Sequence, residues 1–372
     1  MKQGWEKKRI GDVCKVIAGQ SPEGKYYNED GKGMPFYQGK KEYGDKYIGE
    51  PTTWTTIVTK EAEAGDILMS VRAPVGPINF STQKICIGRG LAAIRATKLI
   101  DKEFLYSFLL KHETEIVGNT GAVFNSINKA QIEAIKIPLP PLPEQQRIVA
   151  ILDEAFSAIA TAKENAEKNL QNARELFESY LQGVFANPGD GWEEKTLNQI
   201  SENLDSQRVP ITKNVRSSGS IPYYGASGIV DYVDEYIFDD DLLLVSEDGA
   251  NLLARTYPIA FSISGKTWVN NHAHVLRFEN MVNQRFVEFY LNAIKLDDYV
   301  SGMAQPKLNQ TMLNTIVIPY PPLKEQRSVV AKLDALSAET KRLEDIYRQK
   351  LADLDELKKS VLQKAFNGEL KT

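Results

Sequence analysis

The chain has 372 residues, 42% hydrophobic and 25% charged, with a formal net charge of −4, which suits a soluble protein of about two or three domains. No apolar run approaches the roughly 18 residues of a membrane span, and the opening MKQGWEKKRIGDV alternates charges with single apolar residues, so neither an anchor nor a signal peptide is expected. Two cysteines, Cys14 and Cys86, exclude a disulfide framework and a cysteine-built zinc cage and fit a reducing cytoplasm.

Residues 1–143 hold 20 Lys+Arg against 16 Asp+Glu and read as a mixed α+β domain. Short β-rich runs (Trp54–Thr59, Ile67–Val71, Ala92–Arg95) lie between Gly- and Pro-rich turns, and a helix is expected near 101–115. Gly88-Arg-Gly-Leu-Ala-Ala93 fits a loose dinucleotide fingerprint. It leads into a strand-like run instead of a helix, so nucleotide binding is not expected. Candidate DNA-contacting side chains in loop or Gly-rich settings are Lys25, Tyr26, Lys40, Lys41, Arg72 and Arg89.

Ile137-Pro-Leu-Pro-Pro-Leu-Pro-Glu-Gln145 opens a long helix over 144–186, where acids outnumber bases 7 to 4. Apolar or small residues at Ile148, Leu152, Ala155, Ile159, Ala162, Ala166, Ala173, Leu176 and Tyr180 form a heptad seam, with Asn169 in a polar slot. Pro140-Pro141 makes a rigid, donor-poor entry, and Glu144 favours the helix N-terminus.

Residues 187–324 repeat the first domain, now with 17 acids against 11 bases. Gly191-Trp192-Glu193 echoes Gly4-Trp5-Glu6, Ile221-Pro-Tyr-Tyr224 echoes Met34-Pro-Phe-Tyr37, and FVEFYL from Phe286 echoes FLYSFL from Phe104. Strands are expected at Leu242–Val245 and Ala273–Arg277, and a helix near 283–297. DNA-contact candidates here are Arg208, Arg216, Ser217, Arg255, Lys266, Asn271, His272 and Lys307. His272 and His274 read as polar surface residues on one strand face, with no carboxylate or thiol beside them in sequence to make a metal site. Asp239-Asp-Asp241 reads as a turn cap.

Ile318-Pro-Tyr-Pro-Pro-Leu-Lys-Glu-Gln326 repeats the hinge 181 positions later and opens a second helix over 325–368. Its seam holds Val329, Leu333, Leu336, Thr340, Leu343, Tyr347, Leu354, Leu357 and Val361, with Lys350 in the slot of Asn169. The chain is thus two copies of one unit. Alanines of one seam facing larger residues of the other suit a close pair of helices, each roughly 60 Å long. Only Ala186–Asp190 links the first helix to the second domain. The helices are therefore expected to run antiparallel, with the heads at opposite ends of a pseudo-twofold dumbbell.

No Walker motif, no Asn/Asp-Pro-Pro-aromatic motif and no nucleophilic triad occurs, so no catalytic centre and no bound metal or cofactor is expected. Two similar heads on a rod suit a target with two sites at fixed spacing, such as two DNA half-sites. The paired Ile-Pro-x-Pro-Pro-Leu-x-Glu-Gln hinges, the paired Gly-Trp-Glu starts and the closing Leu362-Gln-Lys-Ala-Phe-Asn-Gly368 resemble the specificity subunit of type I restriction–modification systems. The resemblance implies target recognition domains at 1–143 and 187–324, each reading half of a split double-stranded DNA target. It implies spacer helices at 144–186 and 325–368 that set the gap. It further implies docking of two adenine-methylating modification subunits, with Leu142, Gln145, Leu323 and Gln326 as the candidate contacts. Those partners would use S-adenosylmethionine, and restriction subunits, where present, ATP and Mg. The acidic second head requires its cations to cluster or its partners to supply phosphate contacts. The alternatives are a two-headed protein-interaction scaffold and an enzyme; the missing motifs argue against the latter.

Overall fold

The computed structural model describes residues 4–118, 126–302 and 305–370. The chain divides into two compact units, residues 1–166 with 349–372, and residues 167–348. No helix among the described residues is long and apolar enough to cross a membrane.

In the first unit, Glu6–Arg9 pairs antiparallel with Lys136–Leu139, so the hinge is tied to the start of the head, Lys8 opposite Ile137. A four-stranded antiparallel sheet follows in the order Cys14–Ala18, Leu91–Ala96, Ile67–Ser70, Ile78–Phe80. Alternation along these strands divides the interior. Ile67, Met69, Ala92 and Ile94 face a core shared with Phe104, Leu105 and Phe108 of the helix Lys102–Gly118. Leu68, Leu91 and Ala93 face a second core with Tyr37, Ile85 and Ile87 of a five-stranded mixed sheet. That double burial explains why Ile67, Leu68 and Met69 form an unbroken apolar run and why the strand Ile67–Ser70 is buried along its whole length. Of the run Trp54–Thr59, only Trp54–Thr55 pairs as a strand.

The second unit repeats this plan. Glu193–Thr196 pairs with Val317–Tyr320, and the central order is Ser201–Asn203, Ala273–Phe278, Leu242–Ser246, Ala260–Ile263. Leu243, Val245 and Leu276 face the helix Met281–Ala293, while Leu242, Leu244 and Val275 face the other sheet.

The long helices span Leu142–Ala186 and Leu323–Asn367. In the first unit, Ile148 and Leu152 from the start of one share a core with Leu362, Ala365 and Phe366 from the end of the other. Phe366 packs on Phe104 and Phe108, with ring centroids at 5.1 and 5.5 Å. In the second unit the roles reverse: Leu181 and Phe185 join Val329 and Leu333, and Phe185 meets Phe286 edge-on at 5.5 Å. The ion pairs Lys163–Asp355 in one unit and Arg174–Glu344 in the other have the same sense. Within each unit the helices therefore run antiparallel, as chain geometry predicts.

The seam itself departs from strict heptads. Asn169 and Lys350 are exposed, as are Leu176, Tyr180 and Leu357, while Leu170, Phe177 and Leu181, and Leu351, Lys358 and Leu362, turn inward. A straight helix drifts about 20° per heptad against a 3.5-residue repeat. Past the polar slot the buried strip takes in the next position along, Leu170 and Phe177 in one copy and Leu351 and Lys358 in the other, while Ala173 and Leu354 stay inside. Asn169 and Lys350 are thus surface residues outside the buried strip.

Candidate nucleic-acid interface

Three loops of the first head, 19–22, 38–41 and 88–90, converge on one cleft of about 880 Å³. Backbone bonds hold them at contact distance: Gly88 N donates to Tyr37 O at 2.8 Å, Gly19 N to Leu91 O at 2.9 Å and Gln20 N to Ile87 O at 3.0 Å. A Cβ on Gly19 would lie 2.2 Å from Gly88 O, and one on Gly90 would lie 2.4 Å from Gln38 O. Close approach of backbones, not phosphate binding, is what requires the glycines of Gly88–Ala93, and Leu91–Ala96 is a strand.

Tyr27, Lys41 and Arg89 line this cleft together with Ser21, Gln38, Thr52 and Thr53. Ser21 Oγ donates to Gln38 Oε1 at 2.9 Å and accepts Arg89 N at 3.2 Å, linking all three loops. Tyr27 stacks on Phe36, ring centroids at 4.7 Å. Gln38 and Ser21 escape a sequence search for cations; the signal for them is the flanking glycines. Arg72 stands beside the cleft, because Val71 N donates to Gly90 O at 2.9 Å. Among the described residues, neither Arg72 nor Arg89 forms an ion pair, and both are exposed. Lys25 pairs with Glu23 at 2.6 Å and covers the Tyr26 ring; Lys40 shares the one-turn helix Lys40–Glu42 with Lys41. Lys25, Tyr26, Lys40 and Arg72 lie outside the cleft lining.

The second head carries the same frame. Tyr37 is parallel-paired with Ile87, and Tyr224 with Val269. Gly88 N donates to Tyr37 O, and Asn270 N to Tyr224 O. Four residues on, Leu91 pairs with Ser70 and Ala273 with Ser246. Gly88-Arg89-Gly90 and Asn270-Asn271-His272 are therefore the same loop, and Asn271 stands where Arg89 stands. Ile127 N donates to Val71 O as Leu308 N does to Glu247 O. The bridge Arg72–Ser126 thus matches Asp248–Lys307. Each rim has three equivalent points: Arg89, Arg72 and Ser126 in one head, Asn271, Asp248 and Lys307 in the other. Asn271 and His272 are exposed, and His272 Nδ1 lies 2.8 Å from Asp248.

Three arginines predicted to contact DNA are instead internal. Arg208 donates to Glu247 at 2.6 Å and to Ala273 O at 2.7 Å. Arg216 donates to Asp231 at 2.9 Å and stacks 4.2 Å over the Tyr223 ring. Arg255, in the left-handed region at φ 52°, donates to Leu291 O and Ile294 O, closing the end of Met281–Ala293; burial lowers its pKa. Arg277 and Arg285 are ion-paired too, so every arginine of residues 186–324 has an internal partner. What remains exposed is Ser217, Lys266 (over the Tyr236 ring at 4.7 Å), Asn271, His272 and Lys307, the last paired with Glu247 at 3.0 Å.

His274 is not a surface residue. It is fully buried, with Nδ1 2.6 Å from Asp205 and Nε2 2.7 Å from Leu308 O. Burial alone would raise the Asp205 carboxyl; the bond and charge of His274, the Val275 N–H and Arg208 together outweigh that and hold it below the ordinary carboxylate range. Glu247 is likewise held low against burial by Arg208 and Lys307. This network underlies the rim and ties 205–208 to 272–274 and 307–308.

The hinge glutamines are also internal. Gln145 is 1% exposed; its Nε2 donates to Pro140 O at 2.8 Å and its Oε1 accepts Asp101 N at 2.7 Å. Gln326, also 1% exposed, donates to Pro321 O at 2.8 Å. Both lock the Pro-Pro turn onto the head and are shielded from a docking partner in the free chain. Leu142 and Leu323 are each 40% exposed and are open to one.

Residues 2–170 and 189–351 match the family model of the type I restriction modification DNA specificity domain. Over 184 residues, 48% of this chain and 43% of the relative, the sequence is 41% identical to a putative type I restriction enzyme specificity subunit, MjaX, of Methanocaldococcus jannaschii. It is 33% identical to one of Haemophilus influenzae over 52% of each. The chain thus spans about half the length of these curated relatives. The MjaVIII specificity subunit of M. jannaschii aligns over 99% of this chain and 93% of its own length at 23% identity. Two solved structures share the fold over the whole chain. One, from a study of complex assembly and conformational transition of the type I R-M system, has a TM-score of 0.82 at 20% identity. The other, the HsdS subunit of Thermoanaerobacter tengcongensis, has 0.64 at 19% and is likewise covered almost end to end.

Proposed function

Because this chain belongs to the type I restriction–modification DNA specificity family, we propose that it is the sequence-recognition subunit of a type I restriction–modification complex, each head reading one half of a bipartite double-stranded DNA target. The observation that carries this reading is the shared rim loop, which presents Arg89 in one head and Asn271 in the other. Arginine pairs bidentately with guanine O6/N7 and asparagine with adenine N6/N7 in the major groove. A common frame with interchangeable readers is what reading two different half-sites requires.

In this reading the chain performs no chemistry. Two modification subunits dock at the two hinges, around exposed Leu142 and Leu323, bind S-adenosylmethionine and methylate adenine. Restriction subunits, where present, use ATP and Mg, and the complex works in the cytoplasm. The long helices set the gap between half-sites. Since B-DNA turns about 34–36° per base pair, at 10–10.5 base pairs per turn, a gap changed by one base pair rotates one half-site away from its head. Duplexes carrying the preferred bipartite site with the gap lengthened or shortened by one base pair should bind the assembled complex only as random sequence does. Undiminished binding across gap lengths would refute the ruler, and no sequence preference even at low salt would favour the protein scaffold.

A further inference from the structure

The two hinges are not equivalent, and the difference creates a site. In the first copy, Gln145 is fully bonded because Asp101 gives it a backbone N–H at 2.7 Å. In the second, the helix equivalent to Lys102–Gly118 begins earlier, at Met281. Asn283, at the place of Asp101, donates its N–H to the helix cap Asn280 at 3.0 Å. Gln326 Oε1 is left buried with no partner, and Asn283 Oδ1 is in the same state. The Gln326 orientation is fixed by its Nε2 bond to Pro321 O, so the orphan is an acceptor.

Both residues line a groove of about 390 Å³ between Pro321, Pro322 and Leu323 on one side and Glu279 and Asn280 on the other. Glu193 and Lys195 on its rim pair at 3.3 Å, leaving Glu279 as the exposed rim carboxylate among the lining residues without an ion pair. The positive end of the second long helix is offset by Glu325 in its first turn, held by Trp192 Nε1 at 2.8 Å. The groove therefore offers hydrogen-bond acceptors and a negative charge. A guanidinium, with five donors and no acceptor, complements such a site.

We infer that this second-hinge groove receives an arginine side chain of a modification subunit, so that one of the two docking sites is stronger than the other. The inference rests on the proposed function. Burial of an unbonded acceptor destabilises the free chain, and a partner's donor relieves it, a gain the first hinge cannot offer because Gln145 is already satisfied.

The test is stepwise titration of the full chain with its cognate modification subunit, using Glu279→Gln, an exposed change that leaves folding intact, and Gln326→Met. Each should weaken one binding step about tenfold and leave the other unchanged, as expected for a charge-assisted bond of ordinary strength. Alanine scanning of the modification subunit's arginines should find one that couples to Glu279→Gln in a double-mutant cycle. Two unchanged steps, equal weakening of both, or no coupled arginine would overturn this inference alone. A wild-type chain that takes up no modification subunit would overturn the proposed function with it.

Discussion

Asp205→Ala is expected to cost the second head about 3–5 kcal/mol, the effect of breaking a buried ion pair and leaving its partner charge behind. The residue is the hub of the network: its Oδ2 meets His274 Nδ1 at 2.6 Å, its Oδ1 accepts Val275 N at 2.9 Å, and Arg208 lies within 3.4 Å. Truncation leaves a buried imidazole and a backbone N–H unsatisfied. Because the chain has two compact units, unfolding need not be two-state. Calorimetry should show one transition lowered by about 6–20 °C and the other in place. Unchanged transitions would refute the network's role. The pH dependence has a definite sign. Asp205 and Glu247 titrate below their unfolded values of 3.8 and 4.5. Their contribution is complete above those values and is lost as pH falls through the lower folded ones. Acid should therefore destabilise the wild-type second head below about pH 4 more steeply than the Asp205→Ala variant, which has already lost the contribution of that carboxylate.

Arg89→Ala and Asn271→Ala should each weaken specific binding by about 1–3 kcal/mol, roughly five- to 150-fold, and relax sequence preference in opposite half-sites. Among the described residues neither side chain makes an ion pair or hydrogen bond that truncation would remove, and both are exposed on the equivalent rim loops, so stability should stay within about 0.5 kcal/mol of wild type. Competition selection on randomised half-sites by the assembled complex reads both effects. If Arg89→Ala relaxed both halves, or neither, the assignment of one reader per head would fail. Lys41→Ala, also on the cleft, should instead weaken binding to all sequences alike and reduce the salt slope by about one, as loss of a phosphate contact does.

The duplication, the position of each long helix and the sense in which the helices pair were legible in the sequence, because all three follow from repetition and short linkers. The central strands were legible too, since a strand buried on both faces is a short unbroken apolar run, as at Leu242–Val245. Which cations are free was not. Arg208, Arg216 and Arg255 sit in loops and look solvent-directed, but their partners, Glu247, Asp231 and the carbonyls of Leu291 and Ile294, are 15 to 39 positions away. Gln145 and Gln326 belong to a repeated motif, which suggested a shared outward role. Their burial depends on Asp101 and Pro140 in one copy and Pro321 in the other. The seam shift at Asn169 and Lys350 was hidden because the heptad slots after it still hold apolar residues, among them Leu176, Tyr180 and Leu357, which are exposed. Gln38 and Ser21 were missed because a neutral side chain in a loop carries no signal until the glycines around it are seen to bring three loops together.

The most direct test of the two-headed reading is to exchange residues 1–136 for the first head of another specificity subunit, express the chimera with its modification subunit, and map methylated adenines across a genome. The account predicts a bipartite motif in which one half changes, while the other half and the gap length stay as in the wild type. A motif that changed in both halves, or methylation with no split motif at all, would contradict it.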